Sequence, residues 1–143
     1  MSGVYPMCRV DCIPVKRRPR FAHGVAYTPK QTHDEEKAVA AAYTGELFSG
    51  IPVEVHIWII GRAPKSWTDS RPQPYTVKPD ADNVAKAVLD GLIGKAYDDD
   101  AQVTRLIVEK VSRLKTATEH VLFRVSPAYD MIVLHRRKVK KWS

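Results

Sequence analysis

The sequence predicts an α/β (α+β mixed) domain, a small mixed β-sheet of about four strands with two main helices packed on it. Three observations carry this expectation. Val53, Val55, Ile57 and Ile59 alternate with Glu54, His56 and Trp58, the period-2 pattern of a strand with one buried face. Val84, Val88 and Leu92 recur every fourth residue, the stripe of an amphipathic helix. Between residues 31 and 48 an alanine-dominated run follows Asp34, Glu35 and Glu36, the acidic-first order of a second helix. A chain of 143 residues with 44% apolar content is enough for one modest core.

Residues 4–14 are mostly apolar, interrupted by Arg9 and Asp11 and closed by Pro14, and read as the first strand. Cys8 and Cys12 fall on one side of that strand. With only 2 Cys in the chain there are too few ligands for a zinc site or a disulfide framework, so both are expected as reduced core thiols. Lys16-Arg17-Arg18-Pro19-Arg20 should form a basic surface loop, with His23-Gly24 as a turn or hairpin signal before Tyr27-Thr28-Pro29. The helix over 31–48 takes Thr32 as its N-cap, with Glu35 completing a capping box, and Gly50-Ile51-Pro52 stops it.

The alternating strand spans 52–60, and His56 sits on its outward face with nothing chelating beside it. Residues 61–79 hold Pro64, Pro72, Pro74 and Pro79 and read as a long loop. Lys65, Trp67, Arg71, Tyr75 and Lys78 make it basic with interleaved aromatics, suited to a phosphate backbone and an exposed base. The second helix covers 80–94, with Ala87 and Gly91 small enough for close packing and Gly94 as its stop. Strands follow over 103–112 and 119–126, the latter alternating at Val121, Phe123 and Val125. The domain is placed at 1–128, leaving 129–143 as a basic tail in which Arg136, Arg137, Lys138, Lys140 and Lys141 are too repulsive to pack.

Lys and Arg total 23 against 16 Asp and Glu, a net charge of +7 that favours a polyanionic partner, nucleic acid first. The cations nominated for DNA are Lys16, Arg17, Arg18, Arg20, Lys65, Lys78 and the five of the tail. No membrane is expected as a partner, because no run reaches the roughly 18 apolar residues of a spanning helix. Met1 to Met7 lacks a signal-peptide core, which points to the cytoplasm.

Asp80 and Asp82 flank the start of the second helix. A cap needs only one carboxylate there. Asp82, Lys86 and Asp90 share a helical face at four-residue spacing, which is also the ordinary ladder of a solvated helix. Asp98, Asp99 and Asp100 repel one another unless a cation or a basic group is near, although caps would use them too. Mg²⁺ takes one or two carboxylates together with phosphate oxygens and water, a set that Asp80, Asp82 and Asp100 can supply, with Asp99 as the alternative third ligand and Mn²⁺ as a substitute ion. Such an ion polarises a phosphate and activates water, while Lys86 stabilises the charge that develops on the phosphate. An EF-hand starting at Asp80 fails, because Ala85 stands where glycine is needed and Gly91 where glutamate belongs. Gly91 to Ala96 has the wrong glycine spacing for a P-loop, with no Ser or Thr after Lys95.

The segment from Lys78-Pro79-Asp80-Ala81-Asp82-Asn83 through Lys86 to Leu92, followed by Ala96-Tyr97-Asp98-Asp99-Asp100-Ala101-Gln102-Val103, closely resembles the RusA family of Holliday-junction resolvases, common in phages and prophages. Pro14-Val15-Lys16 to Arg20 and Tyr27-Thr28-Pro29 extend the likeness to residues 5–125. The resemblance implies catalytic aspartates at Asp80 and Asp82, a lysine at Lys86, and a third aspartate at Asp100, the one preceding Ala101-Gln102-Val103. It also implies a Mg²⁺-dependent endodeoxyribonuclease of recombination and repair, a homodimer that makes paired nicks across a four-way DNA junction. Closed two-fold symmetry suits two symmetric strands. The chain departs from the family in having three consecutive aspartates where two acidic positions are usual, and in a longer proline-rich loop over 61–77. Two other readings stand beside it: a non-catalytic basic DNA-binding protein, such as a phage regulator, whose carboxylates only cap elements, and a nuclease acting on flaps or RNA.

Overall fold

Parallel pairing of two strands forces the chain to cross back over the sheet before the second strand can begin, and that crossover organises this fold. The computed structural model describes residues 4–63, 76, 78–112 and 118–130. In chain order these form β1 (Cys8–Val10), β2 (Arg20–Ala22), β3 (Val25–Tyr27), α1 (Lys30–Ala42), β4 (Val53–Gly61), α2 (Ala81–Leu92), a 3₁₀ turn (Asp100–Gln102), β5 (Val103–Ser112) and β6 (His120–Pro127). The main sheet has the order β1-β6-β4-β5, and β2 pairs with β3 in a separate ribbon. β4 and β5 run parallel, with α2 on the connection between them, while β6 is antiparallel to both β4 and β1. The expected mixed sheet with two helices is therefore present. No helix among the described residues is long and apolar enough to cross a membrane.

One face of the sheet carries the core. Val53, Val55, Ile57 and Ile59 of β4, Val121, Phe123 and Val125 of β6, and Cys8 and Val10 of β1 are buried with Val39 of α1 and Val84, Val88 and Leu92 of α2. Each such side chain contributes about 1.5–3 kcal/mol on leaving water. Glu54, His56 and Trp58 occupy the other face of β4 and are half-buried. His56 stacks on Trp58 with centroids 3.7 Å apart, and its Nε2 lies 3.9 Å from Glu109. The two helices meet at Gly91, where a Cβ would stand 2.8 Å from the Glu36 carbonyl oxygen and 2.9 Å from Val39 Cβ.

Several boundaries differ from expectation for identifiable reasons. β1 covers only Cys8–Val10 because the chain bends at Asp11, where the Arg9 Nε donates to the carboxylate at 2.7 Å. Cys12 consequently lies beyond the strand and is half-buried, whereas Cys8 is buried; both are free thiols. The segment expected as a basic loop contains the β2–β3 hairpin. α1 starts at Lys30, not at 31 with a Thr32 cap: the Pro29 carbonyl accepts the Thr32 and His33 N–H groups, so Thr32 is inside the first turn and buried. Glu35 completes no capping box there. Its carboxylate accepts the Val15 N–H at 3.2 Å and pairs with Arg17. The helix ends at Ala42 rather than 48, because Tyr43 turns extended and Phe48 is drawn into the core beside Tyr97. Most of the proline-rich loop, including Lys65, and the tail cations Arg136, Arg137, Lys138, Lys140 and Lys141 lie outside the described residues.

Gly91→Ala should destabilise the domain by about 1–2 kcal/mol, because forced overpacking outweighs the better helix propensity of alanine. A urea midpoint unchanged or raised would show that the helices separate freely at this contact.

Candidate active site

α2 begins where the carboxylates were expected. Asp80 occupies its N-cap position with extended backbone, and its carbonyl accepts the Val84 N–H at 3.2 Å. The Asp80 side chain caps nothing; both its oxygens instead receive the Lys78 Nζ at 2.9 Å. Asp82 stands in the first turn and Lys86 one turn later, both exposed, because Val84, Ala85, Ala87 and Val88 occupy the buried side. Among the described residues Lys86 makes no ion pair, so it is not a rung of a ladder with Asp82 and Asp90.

Asp90 has a different partner. The Lys16 Nζ reaches it at 2.9 Å and Glu36 at 3.3 Å, and the hydrogen bond to Asp90 is the main reason that the Lys16 ammonium is held above its usual range. The Lys16 N–H donates to the Asn83 carbonyl at 3.0 Å, while the Val15 N–H and Arg17 engage Glu35. Residues 15–17 therefore strap α1 to α2 immediately beside the start of the second helix. Two of the cations nominated for DNA, Lys16 and Arg17, already have carboxylate partners, and Lys78 has Asp80. Arg18 and Arg20 are exposed.

The acidic run forms a turn held from within. The Asp99 carboxylate accepts the Ala101 N–H at 3.0 Å. Gln102 closes a capping box: its Oε1 accepts the N–H groups of Asp98 at 2.9 Å and Asp99 at 3.1 Å. Its Nε2 donates to the carbonyls of Phe48 at 2.8 Å and Ile51 at 3.0 Å, so all four sites of the amide are used. Ser49 donates its hydroxyl to Asp98. Asp99 is held below the usual carboxylate range, first by the Ala101 N–H and then by its hydrogen bond with Asp100. Asp100 is pushed up, first by that same hydrogen bond, then by burial and by the charges of Asp99 and Asp90. The two neighbours thus differ, Asp99 being held in its charged form more firmly than Asp100.

Asp82 and Asp90 are eight residues apart on α2, about 12 Å along the axis, and Asp100 senses the charge of Asp90 at the far end. Among the described residues no three Asp, Glu, His or Cys side chains gather closely enough to hold a metal ion. The donor chemistry at the helix start does fit Mg²⁺, a hard cation that accepts two carboxylates and completes its shell with phosphate and water. Gln102 and the Lys16–Asp90 pair were missed in the sequence. The spacing of Asp99 and Gln102 is a capping-box signature that was available to find the first.

A family model described as endodeoxyribonuclease RusA matches residues 12–120, a span that holds the strap, both ends of α2 and the acidic turn. The chain belongs to the RusA family. No curated protein matches it. The RusA-family span opens two residues after β1 and closes at the first residue of β6, so it contains the whole β4–α2–β5 crossover.

Gln102→Leu should remove the four side-chain bonds of the acidic turn and leave the Phe48 and Ile51 carbonyls without their donor. Amide hydrogen exchange across residues 98–101 is expected to rise at least tenfold, since lost bonds of this type are worth about 1 kcal/mol each. Exchange at the wild-type rate would remove Gln102 from this role.

Proposed function

We propose that this RusA-family protein is a Mg²⁺-dependent endodeoxyribonuclease that resolves four-way (Holliday) junctions by paired nicks, acting as a homodimer. The family match over residues 12–120 carries the reading, and the exposed Asp82 and Lys86 on one face of α2 support it. Asp80 and Asp82 would hold the ion, with Asp100 as the third carboxylate. When bound, the ion supplies an activated water and polarises the scissile phosphate.

The chain's own groups do the rest. Lys86, free of any carboxylate among the described residues, is available to a non-bridging phosphate oxygen as charge builds there. Lys78 balances Asp80 until a cation takes that place. The N-terminal end of α2 adds a favourable field for phosphate. Asp99 is occupied as a cap, which leaves Asp100 as the carboxyl of the turn that can turn outward to a ligand.

Among the described residues of one chain, Asp80, Asp82 and Asp100 do not gather into a metal-holding group. A two-fold dimer offers a way to join them, with the turn of one copy meeting the helix start of the other.

With Mg²⁺ the wild-type protein is expected to cut a synthetic four-way junction in preference to flap, duplex or RNA, and Asp82→Asn to lower cleavage at least 100-fold while still shifting the junction on a gel. Wild-type protein that binds the junction but leaves it intact would sink the nuclease reading in favour of a basic binding module. Mixing Asp82→Asn with Asp100→Asn should restore single nicks if sites are shared between copies. No recovery in the mixture would assign all three aspartates to one chain.

A further inference from the structure

The β2–β3 hairpin plays no part in the site above, yet it carries the largest exposed side chains near the strap. Arg20 pairs with Tyr27, Phe21 with Ala26 and Ala22 with Val25. His23 at φ 52 and Gly24 at φ 77 make the two-residue turn, both left-handed as a type I′ hairpin requires. Residues directly opposite share a face, so Phe21 stands alone above Ala26, with Arg20, Ala22, Val25 and Tyr27 on the other side. Every residue of both strands is exposed. Phe21 keeps 76% of its surface in solvent and Val25 67%. A ribbon of two short strands with neither face buried is marginal in water on its own, so these side chains are placed for something outside the domain.

Charge selects the occupant. From Cys12 to His33 the chain contains Lys16, Arg17, Arg18, Arg20 and Lys30 and no Asp or Glu. Lys16 and Arg17 are matched by carboxylates of the helices and Lys30 by Asp34, whereas Arg18 and Arg20 form no ion pair among the described residues. A second copy docking hairpin to hairpin would set Arg18 and Arg20 against their own like charges. A polyanion with flat aromatic faces fits both features.

We infer that the β2–β3 hairpin is a DNA-inserting element, in which Phe21 stacks on bases left unstacked at a branch point while Arg18 and Arg20 hold the flanking phosphates. This rests on the junction reading proposed above. Inserting an aromatic into continuous duplex costs the stacking that it breaks, whereas a branch point has already lost part of it. Phe21 therefore favours branched over linear DNA, and the arginines bind both alike.

The experiment uses the cleavage-blocked Asp82→Asn protein and junctions carrying 2-aminopurine either at the branch point or within an arm. Binding should change the branch-point fluorescence and leave the arm signal alone. In that background Phe21→Ala should abolish the change and weaken junction binding roughly 5- to 100-fold with duplex binding unaltered, and Phe21→Trp should restore both. Arg20→Ala should weaken junction and duplex together and flatten the salt slope by about one. Unchanged fluorescence and affinity in Phe21→Ala overturn the inference, as does a change of oligomeric state in sedimentation with the fluorescence response intact, which would make the hairpin a contact between copies. Because cleavage is blocked throughout, failure of the nuclease reading appears only in the wild-type assay. Normal wild-type cleavage with a silent branch-point probe overturns the insertion alone.

Discussion

The parallel pairing of β4 with β5 is the constraint from which the site follows. Two parallel strands cannot be joined by a tight turn, so the chain must travel the length of the sheet between them, and α2 is that return path. The helix is fixed by Val84, Val88 and Leu92 against the sheet and by the absence of a side chain at Gly91 against α1. Its entry carries Asp80 and Asp82; its exit leads through the Tyr97 anchor into Asp98–Gln102 and then directly into β5. Tyr97 is fully buried, donates its hydroxyl to the Leu89 carbonyl at 2.7 Å, and has its phenol pushed far up by that burial. The exit turn is thereby tied to the helix that precedes it. The same crossover that makes the sheet possible places carboxylates at both ends of one rigid rod.

Regions where packing follows a short period were legible in the sequence, and regions decided by distant partners were not. β4, β6 and α2 announce themselves because a face buried along its whole length imposes the alternation of Val53 to Ile59 or the stripe of Val84 to Leu92. α1 was harder, since an alanine-rich run has no preferred end; its limits come from the Pro29 carbonyl at one side and from Phe48 docking beside Tyr97 at the other. Thr32 and Glu35 have the spacing of a capping box, and so do Asp99 and Gln102. Only the second pair forms one, because Glu35 is claimed by the Val15 N–H and Arg17. Local spacing offered both, and contacts 18–20 residues away in sequence decided between them.

Counting cations gives the sign of the partner, while the fold decides which of those cations already have carboxylate partners. Lys16 and Arg17 lie in the most basic stretch of the described chain, yet their charges are spent on Glu36, Asp90 and Glu35 in strapping the helices. Half-exposed pairs like these are worth about 0–1 kcal/mol each, so their importance is geometric: they hold residues 15–17 against Asn83, next to Asp82. Among the described residues, Arg18, Arg20 and Lys86 are exposed cations whose charge stays unmatched and open to an outside partner. A net charge locates the class of ligand, but only the unmatched part of it can meet one.

The acidic turn shows the same principle on a smaller scale. Asp98, Asp99 and Asp100 are identical in chemistry and adjacent in sequence, and their positions alone make them unequal. Asp98 takes the Ser49 hydroxyl, Asp99 takes a backbone N–H as a cap, and Asp100, beside Asp99, is pushed up from the usual carboxylate range. Three adjacent charges at this density would repel without some such division. The division depends on Gln102, whose amide binds the two N–H groups before it and two carbonyls of the 48–51 segment at once. A glutamate in its place would lose both donors to those carbonyls and add a fourth negative charge. The glutamine is therefore a requirement of the turn's electrostatics as well as of its shape.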